Sequence, residues 1–383
     1  MSECDGIWLT LFMDVKLATK AYEVWLSKKI PLIQADLKLK HQRMAEDVFQ
    51  FLRATFYRWA QLWPEACPEL VSLPSVLGVG DLHVENFGTW RDWEGRLIWG
   101  VNDFDEVCEV PYAVDLVRLA TSANIAISEG TLSCDPQNAC GAILTGYTKG
   151  IEKGGQPFVL AEHHRWLRDL AQNELRDPTR YWDKLKQWPV ATKLPPDIRG
   201  ALVRALPESR LPFRVVHRQA GLGSLGRRRF TLLAEWRDGF IAREAKELTQ
   251  SAWGWSENRQ VKAEIFYKTA IDHAVRVSDP MVSLHQHWLI RRLAPDCRRI
   301  ELNQLPTRRN GLKLLYAMGF ETANIHLGTK SAAKKVGADL RDRHPKWLFK
   351  AAEAMKQATI DDWKHFRPVS ASRGPRSPKP GDV

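Results

Sequence analysis

The chain has 383 residues, of which 44% are hydrophobic and 26% charged, with a formal net charge of +11. That length and apolar content support two lobes with real cores and exclude a mainly disordered chain. The positive charge is spread along the sequence and forms no long basic block, so a solvated surface accounts for most of it.

The six cysteines, at 4, 67, 108, 134, 140 and 297, include no C-x-x-C pair. Zinc and a disulfide framework are therefore not expected. Ile7–Met13 is a short apolar run without a basic flank or small-residue cleavage site, so no signal peptide is expected. No apolar run reaches about 18 residues, so no membrane partner is expected and the cytoplasm is the expected compartment.

In chain order, residues 15–65 carry apolar positions at helical spacing, with Pro64 as the expected end. Short strands are expected at 76–80 and 96–102. Helices follow at 112–128, 136–150 and 158–174. Residues 176–212 are a Pro-rich connector with a short helix near 196–206. A three-strand meander is expected at Phe213–Gln219, Arg228–Trp236 and Phe240–Lys246, with Arg237-Asp238-Gly239 as its second turn. Helices are then expected at 259–276, 281–292, 310–327 and 346–366, before a disordered tail over 367–383.

Two short motifs carry chemistry. Residues 79–88 read Val-Gly-Asp-Leu-His-Val-Glu-Asn-Phe-Gly, and 101–106 read Val-Asn-Asp-Phe-Asp-Glu. Phosphoryl transfer needs a carboxylate to orient a nucleophile and ligands for a charge-neutralising metal. Asp81 stands five residues before Asn86, the interval between base and metal ligand in a kinase loop. Asp103 ends an apolar run, and a strand that stops there would point its carboxylate into a cleft.

A third motif, Gly221-Leu222-Gly223-Ser224-Leu225-Gly226, lies between the first two strands of the meander. A Rossmann fingerprint would need a helix next. The following Arg227–Leu233 favours a strand, and a strand, Gly-rich turn and strand is the arrangement that covers ATP phosphates in kinases. Gly221, Gly223, Ser224 and Gly226 are thus candidate phosphate contacts. Lys246 is the candidate phosphate-pairing cation of the third strand, with Arg243 as its competitor. Strand alternation puts those two on opposite faces.

The Gly-rich motif begins 140 positions after Asp81, the reverse of the kinase order, so the chain looks circularly permuted. The expected fold is α+β, protein-kinase-like and two-lobed. Its helical lobe would come from 1–205 and 250–366, and its small sheet lobe from 206–249.

Together, Lys40-x-x-Arg43-Met44, Phe51-Leu52-Arg53, the Gly80–Gly88 and Asn102–Glu106 runs, Asp115-Leu116-x-Arg118-Leu119, the Gly221–Gly226 loop and Arg243–Lys246 resemble bacterial domain-of-unknown-function family 2252. The resemblance spans about 38–330. That family looks like a relative of aminoglycoside phosphotransferases and other kinase-like enzymes. The resemblance implies ATP and magnesium, Asp81 as the residue that orients an unknown acceptor, and Asn86, Asp103 and Asp105 as metal ligands. It implies loop support from His83, Asp115 and Arg118.

The leading expectation is an ATP- and magnesium-dependent phosphotransferase, and adenylyl transfer would use the same residues. A nucleotide-binding pseudokinase-type regulator is the alternative. A metallophosphoesterase built on Asp81, His83 and His326 ranks below these. So does a nucleic-acid binder built on Arg227-Arg228-Arg229.

Overall fold

In the computed structural model, the structure describes residues 13–160, 163–173, 177–257, 264–297, 299 and 308–368. The segment 258–263 and the tail from 369 onward lie outside the described residues, as do positions 7–12 of the N-terminal apolar run.

Four helices open the chain: α1 Val15–Ser27, α2 Gln34–Glu46, α3 Val48–Ala54 and α4 Phe56–Ala66. The helical periodicity of 15–65 is thus divided, and two of the helices start at aspartate caps. The Asp14 carboxylate accepts from the Lys16 N–H, and the Asp47 carboxylate accepts from the Gln50 N–H. Pro64 lies inside α4 and does not end it. A proline in a final turn removes only one ladder hydrogen bond, which is tolerable there.

Strand β1, Ser75–Gly78, leads to the Asp81 loop. Beyond the loop come β2 Phe87–Arg91, β3 Leu97–Val101 and β4 Cys108–Pro111. The expected strands at 76–80 and 96–102 do not pair with each other. β1 pairs antiparallel with β4, while β3 lies between β2 and the short β5, Phe158–Val159.

Helix α5, Ala113–Ser128, is almost wholly buried at the centre of the helical body. Around it pack α6 Pro136–Lys153, α12 Arg308–His326 and α14 Trp347–Phe366. The intervening α13 is Lys330–Asp342. Helix α7, Arg165–Asn173, forms only the second half of the helix expected at 158–174, and α8, Pro178–Lys186, falls in the expected connector. The long apolar cluster of this body includes Trp59, Trp63, Trp99 and Tyr147, all nearly sealed from water.

The meander is present as β6 Phe213–His217, β7 Arg229–Trp236 and β8 Gly239–Glu247. Arg237 and Asp238 form its second turn, both with positive φ, as a two-residue hairpin requires. The sheet is larger than the sequence indicated. Residues 281–292 are not helical: β9 Ser283–His285 and β10 Trp288–Leu293 extend it in the order β6-β7-β8-β10-β9. A short apolar run such as Trp288–Leu293 has no periodicity that separates buried strand from buried helix. The sheet therefore draws on residues beyond 249.

One sheet face is apolar. Phe230, Leu232, Ala245 and Ile290 pack on Ile198 and Leu202 of α9, Pro196–Arg204. After β8 come α10 Ala252–Ser256 and α11 Tyr267–His273; of the helix expected at 259–276, residues 264–276 are described and only Tyr267–His273 is helical. No helix of the described residues is long and apolar enough to cross a membrane.

Candidate functional site

The Asp81 loop begins where β1 ends. The Val79 and Gly80 N–H groups donate to the two oxygens of Asp115, at 2.6 and 2.8 Å. Asp115 is fully buried near the start of α5, and His326 Nε2 lies 2.9 Å from one of its oxygens. Tyr147 Oη meets His326 Nδ1 at 2.8 Å, which ties α6, α12 and α5 to the loop. Gly80 has φ +80°, and a Cβ there would stand 2.3 Å from the Glu106 carbonyl oxygen. Only glycine satisfies that backbone and that approach.

This frame presents Asp81. Its Oδ1 accepts from Arg118 Nε at 2.9 Å and Nη2 at 2.5 Å. Arg118 is fully buried, donates also to the Leu52 carbonyl, and lies against the rings of Phe56 and Trp59. Burial pushes the Asp81 carboxyl up to about 7, against the pull of Arg118.

The His83 Nδ1 accepts from the Glu85 N–H, and burial together with the Arg53 and Arg118 charges holds the ring's pKa well below its usual value. Asn86 Oδ1 accepts from the His83 N–H at 2.8 Å, and the Asn86 carbonyl accepts from the Asn102 N–H. The asparagine oxygen that would face a metal is thus engaged within its own loop. His83, Asp115 and Arg118 all touch the loop or its supports.

The second element enters from the sheet. Lys246 Nζ lies 3.2 Å from Asp103 Oδ1 and 2.5 Å from Asp105 Oδ2, with Lys246 only 2% exposed. Burial opposes ionisation of Asp103, yet Lys246, Arg291 and Arg229 hold its carboxyl well below the usual range. Burial and the neighbouring Asp103 push Asp105 up to about 6. Asp105 Oδ1 is sealed from solvent with no hydrogen-bond partner among the described residues.

Arg243 is on the other face of β8, where its Nε donates to the Ala205 carbonyl at the end of α9. Lys246, not Arg243, meets the carboxylates.

Several groups around this pair were not singled out by the motifs. Glu106 accepts from Arg227 Nη2 at 2.9 Å and from the Ala252 N–H at 2.7 Å. Glu244, two residues before Lys246 and on the same face, is fully buried and receives Arg218, Arg229 and Arg291. Strand alternation from Lys246 was the signal that could have found Glu244. The same pairs redefine Arg227-Arg228-Arg229. Their guanidinium groups pair internally with Glu106, Glu247 and Glu244 and form no exposed basic cluster.

The Gly221–Gly226 turn is the third element. Its Leu222 and Leu225 are buried with Val15, Met44, Phe51 and Ala54. Arg229 Nη2 donates to Ser224 Oγ at 2.7 Å, and the Ser224 N–H donates to the Gly221 carbonyl. Helix α2 and the residue before it clasp the hairpin: the Ile33 N–H donates to the Gly226 carbonyl, Lys40 Nζ to the Gly223 carbonyl at 3.2 Å, and Asp36 meets His217 and Gln219.

A Cβ on Gly223 would stand 2.9 Å from the Arg53 carbonyl oxygen and 3.5 Å from Asp81 Oδ2. The turn and the Asp81 loop therefore converge closely at Gly223, with no phosphate-wide gap between them.

Paired hard-oxygen donors and the partnerless Asp105 oxygen fit a small divalent cation. Among the described residues, however, no group of three or more His, Cys, Asp or Glu is placed to hold a metal ion. His326 faces Asp115 and Tyr147, so it does not join Asp81 and His83 in a metal cluster. The described cysteines, 67, 108, 134, 140 and 297, are free. A mainly apolar hollow of about 470 Å³ lies elsewhere, beside Phe158, Trp166 and Tyr316. It holds no carboxylate and offers no comparable chemistry.

No curated protein and no solved structure matches the chain. One family profile does, over residues 32–178, a narrower stretch than the motifs indicated. The matched stretch contains Lys40, Asp81, Asn86, Asp103, Asp115 and Arg118, and stops short of the Gly-rich turn and Lys246. Over those residues the chain is similar to a bacterial family described as "Uncharacterized protein conserved in bacteria (DUF2252)".

Proposed function

We propose that the protein is an ATP- and magnesium-dependent phosphotransferase, with a two-lobed, kinase-like fold in permuted order. The observation that carries this reading is the contact of Lys246 with Asp103 and Asp105, beside an Asp81 fixed by Arg118. A sheet lysine, a carboxylate pair and a braced aspartate are the charged parts that phosphoryl transfer requires.

In this reading Asp81 orients the acceptor hydroxyl or amine and accepts its proton. Asp103 and Asp105, with Asn86, would hold magnesium, which when bound neutralises phosphate charge. Lys246 leaves the carboxylates to pair with the α- and β-phosphates. The backbone of Gly221, Gly223, Ser224 and Gly226 covers the phosphates once the turn lifts from Asp81. Arg243 has no part in it.

The test is ATP turnover by the full chain with magnesium, in the presence of pooled small-molecule and protein acceptors. Asp81→Ala should abolish transfer and keep ATP binding. Asp103→Ala should weaken magnesium-dependent ATP binding, and unchanged turnover in that variant would reject the metal role. A proton acceptor must be ionised to act, so turnover should rise with pH through about 7, the value to which burial pushes Asp81.

A nucleotide-binding regulator is the second reading, favoured by the contact of Gly223 with the Arg53 carbonyl and by the engaged Asn86 oxygen. Thermal stabilisation by ATP with no turnover of any acceptor would select it.

A further inference from the structure

Lys40 lies beside the Asp81 loop and the Gly-rich turn, and the phosphotransferase reading gives it no task. It projects from α2 toward the Gly-rich turn and is 4% exposed. Its Nζ has three donors, of which one reaches the Gly223 carbonyl. The ring of Tyr57 lies 5.8 Å from it. Among the described residues, no carboxylate stands within ion-pairing distance of this ammonium.

The neighbouring charges are already taken. Asp81 is held by Arg118, Asp103 and Asp105 by Lys246, and Glu106 by Arg227. The charges that act on Lys40 are Glu23, Arg227, Glu106 and Asp81. A buried cation without a close counter-charge is costly, and burial lowers its pKa to about 8.

A second observation points the same way. Arg118 Nη1 and both Nε and Nη1 of Arg227 are buried and lack acceptors among the described residues. The same region thus holds unmet donors and an unmet acceptor, Asp105 Oδ1, with Arg227 Nη1 standing 3.9 Å from Asp105 Oδ2. A polyanion carrying a cation has the complementary arrangement.

We propose that Lys40 is a phosphate-binding residue: once the Gly-rich turn lifts from Asp81, a phosphate-type oxyanion docks between them and takes Lys40 Nζ from the Gly223 carbonyl. The inference rests on the proposed phosphotransfer for the chemistry at Asp81, but binding can be scored without turnover. A full phosphate charge is a stronger acceptor for an ammonium than a neutral carbonyl.

The experiment uses the full chain at pH 7 in EDTA, titrated calorimetrically with tripolyphosphate and, separately, inorganic phosphate. The wild type should bind tripolyphosphate. Lys40→Met should bind it at least tenfold more weakly, Lys40→Arg should recover most of the loss, and the exposed Lys20→Met should match the wild type. Equal binding by Lys40→Met, or no binding of either anion by the wild type, overturns the proposal.

Inorganic phosphate competing at similar concentrations assigns Lys40 to a single phosphate, such as an acceptor would carry. Failure to compete assigns it to the donor chain. If Lys40→Met does not fold, amine acylation of the wild type replaces it. Tripolyphosphate should slow labelling of Lys40 at least fivefold relative to Lys20, and unchanged labelling overturns the assignment. Lys40-dependent binding without ATP turnover removes only the phosphotransfer reading. Turnover that survives Lys40→Met unchanged removes only the role of Lys40.

Discussion

The Asp81 loop and the Gly221–Gly226 turn approach each other closely at Gly223, yet different forces hold them. The loop hangs on charged hydrogen bonds: Asp115 takes two backbone N–H groups, and Arg118 takes Asp81 itself. The turn is held by two leucines in an apolar cluster and by single hydrogen bonds from Lys40, Arg229 and Ile33. Directional bonds to a buried carboxylate have one good geometry, whereas apolar contacts are non-directional and can re-form after a shift. The loop is built to be a fixed reference, and the turn is the part that can move against it.

That contrast can be tested by breaking each anchor in turn. Asp115→Ala should have the largest effect. It strands the Val79 and Gly80 N–H groups and His326 in the interior, at a cost of about 3–5 kcal/mol. Chemical denaturation measures this, and a loss below that of the leucine variants would reverse the ranking of the two anchors.

Leu222→Ala removes an apolar anchor of the turn and should cost about 2–4 kcal/mol. Limited proteolysis near residue 223 should accelerate in this variant while the Asp81 region stays protected; equal protection at both sites would mean that the turn does not move independently.

Gly223→Ala puts a methyl against the Arg53 carbonyl oxygen and should cost about 1–3 kcal/mol as the turn is wedged outward. Under the phosphotransferase reading, this variant should bind nucleotide no less readily than the wild type. Weaker binding would show that the closed contact is part of the nucleotide site.

Ser224→Ala should be the mildest, about 1 kcal/mol, because it removes one hydrogen bond and leaves Arg229 with Glu244. A loss as large as that of Leu222→Ala would place the main anchor of the turn in its polar contacts.

Some of this was legible in the chain before any coordinates. The strands at Ser75–Gly78 and Leu97–Val101, which lead into the Asp81 and Asp103 loops, were readable because short strands and the loops after them have local signals. The helix at Ala113–Ser128 and the turn at Arg237–Asp238 were equally readable, the first from periodicity and the second from turn chemistry. Strands β9 and β10 were not, because Trp288–Leu293 has too few residues to display a period. Helix α8 was hidden by the proline-rich stretch around it, although its own Pro178 stands in the first helical turn, where proline is favoured.

The sequence by itself determined which chemical groups the site could contain, since residue type and short-range spacing are properties of the chain. It also determined, through strand alternation, that Lys246 and Arg243 could not share a face. Only the tertiary structure decided that Lys246 is the one facing Asp103 and Asp105, that Arg118 belongs to Asp81, and that Gly223 rests on the Arg53 carbonyl. Those contacts join positions far apart in the chain. Which partner a buried charge finds depends on how whole elements pack, and no local pattern encodes that.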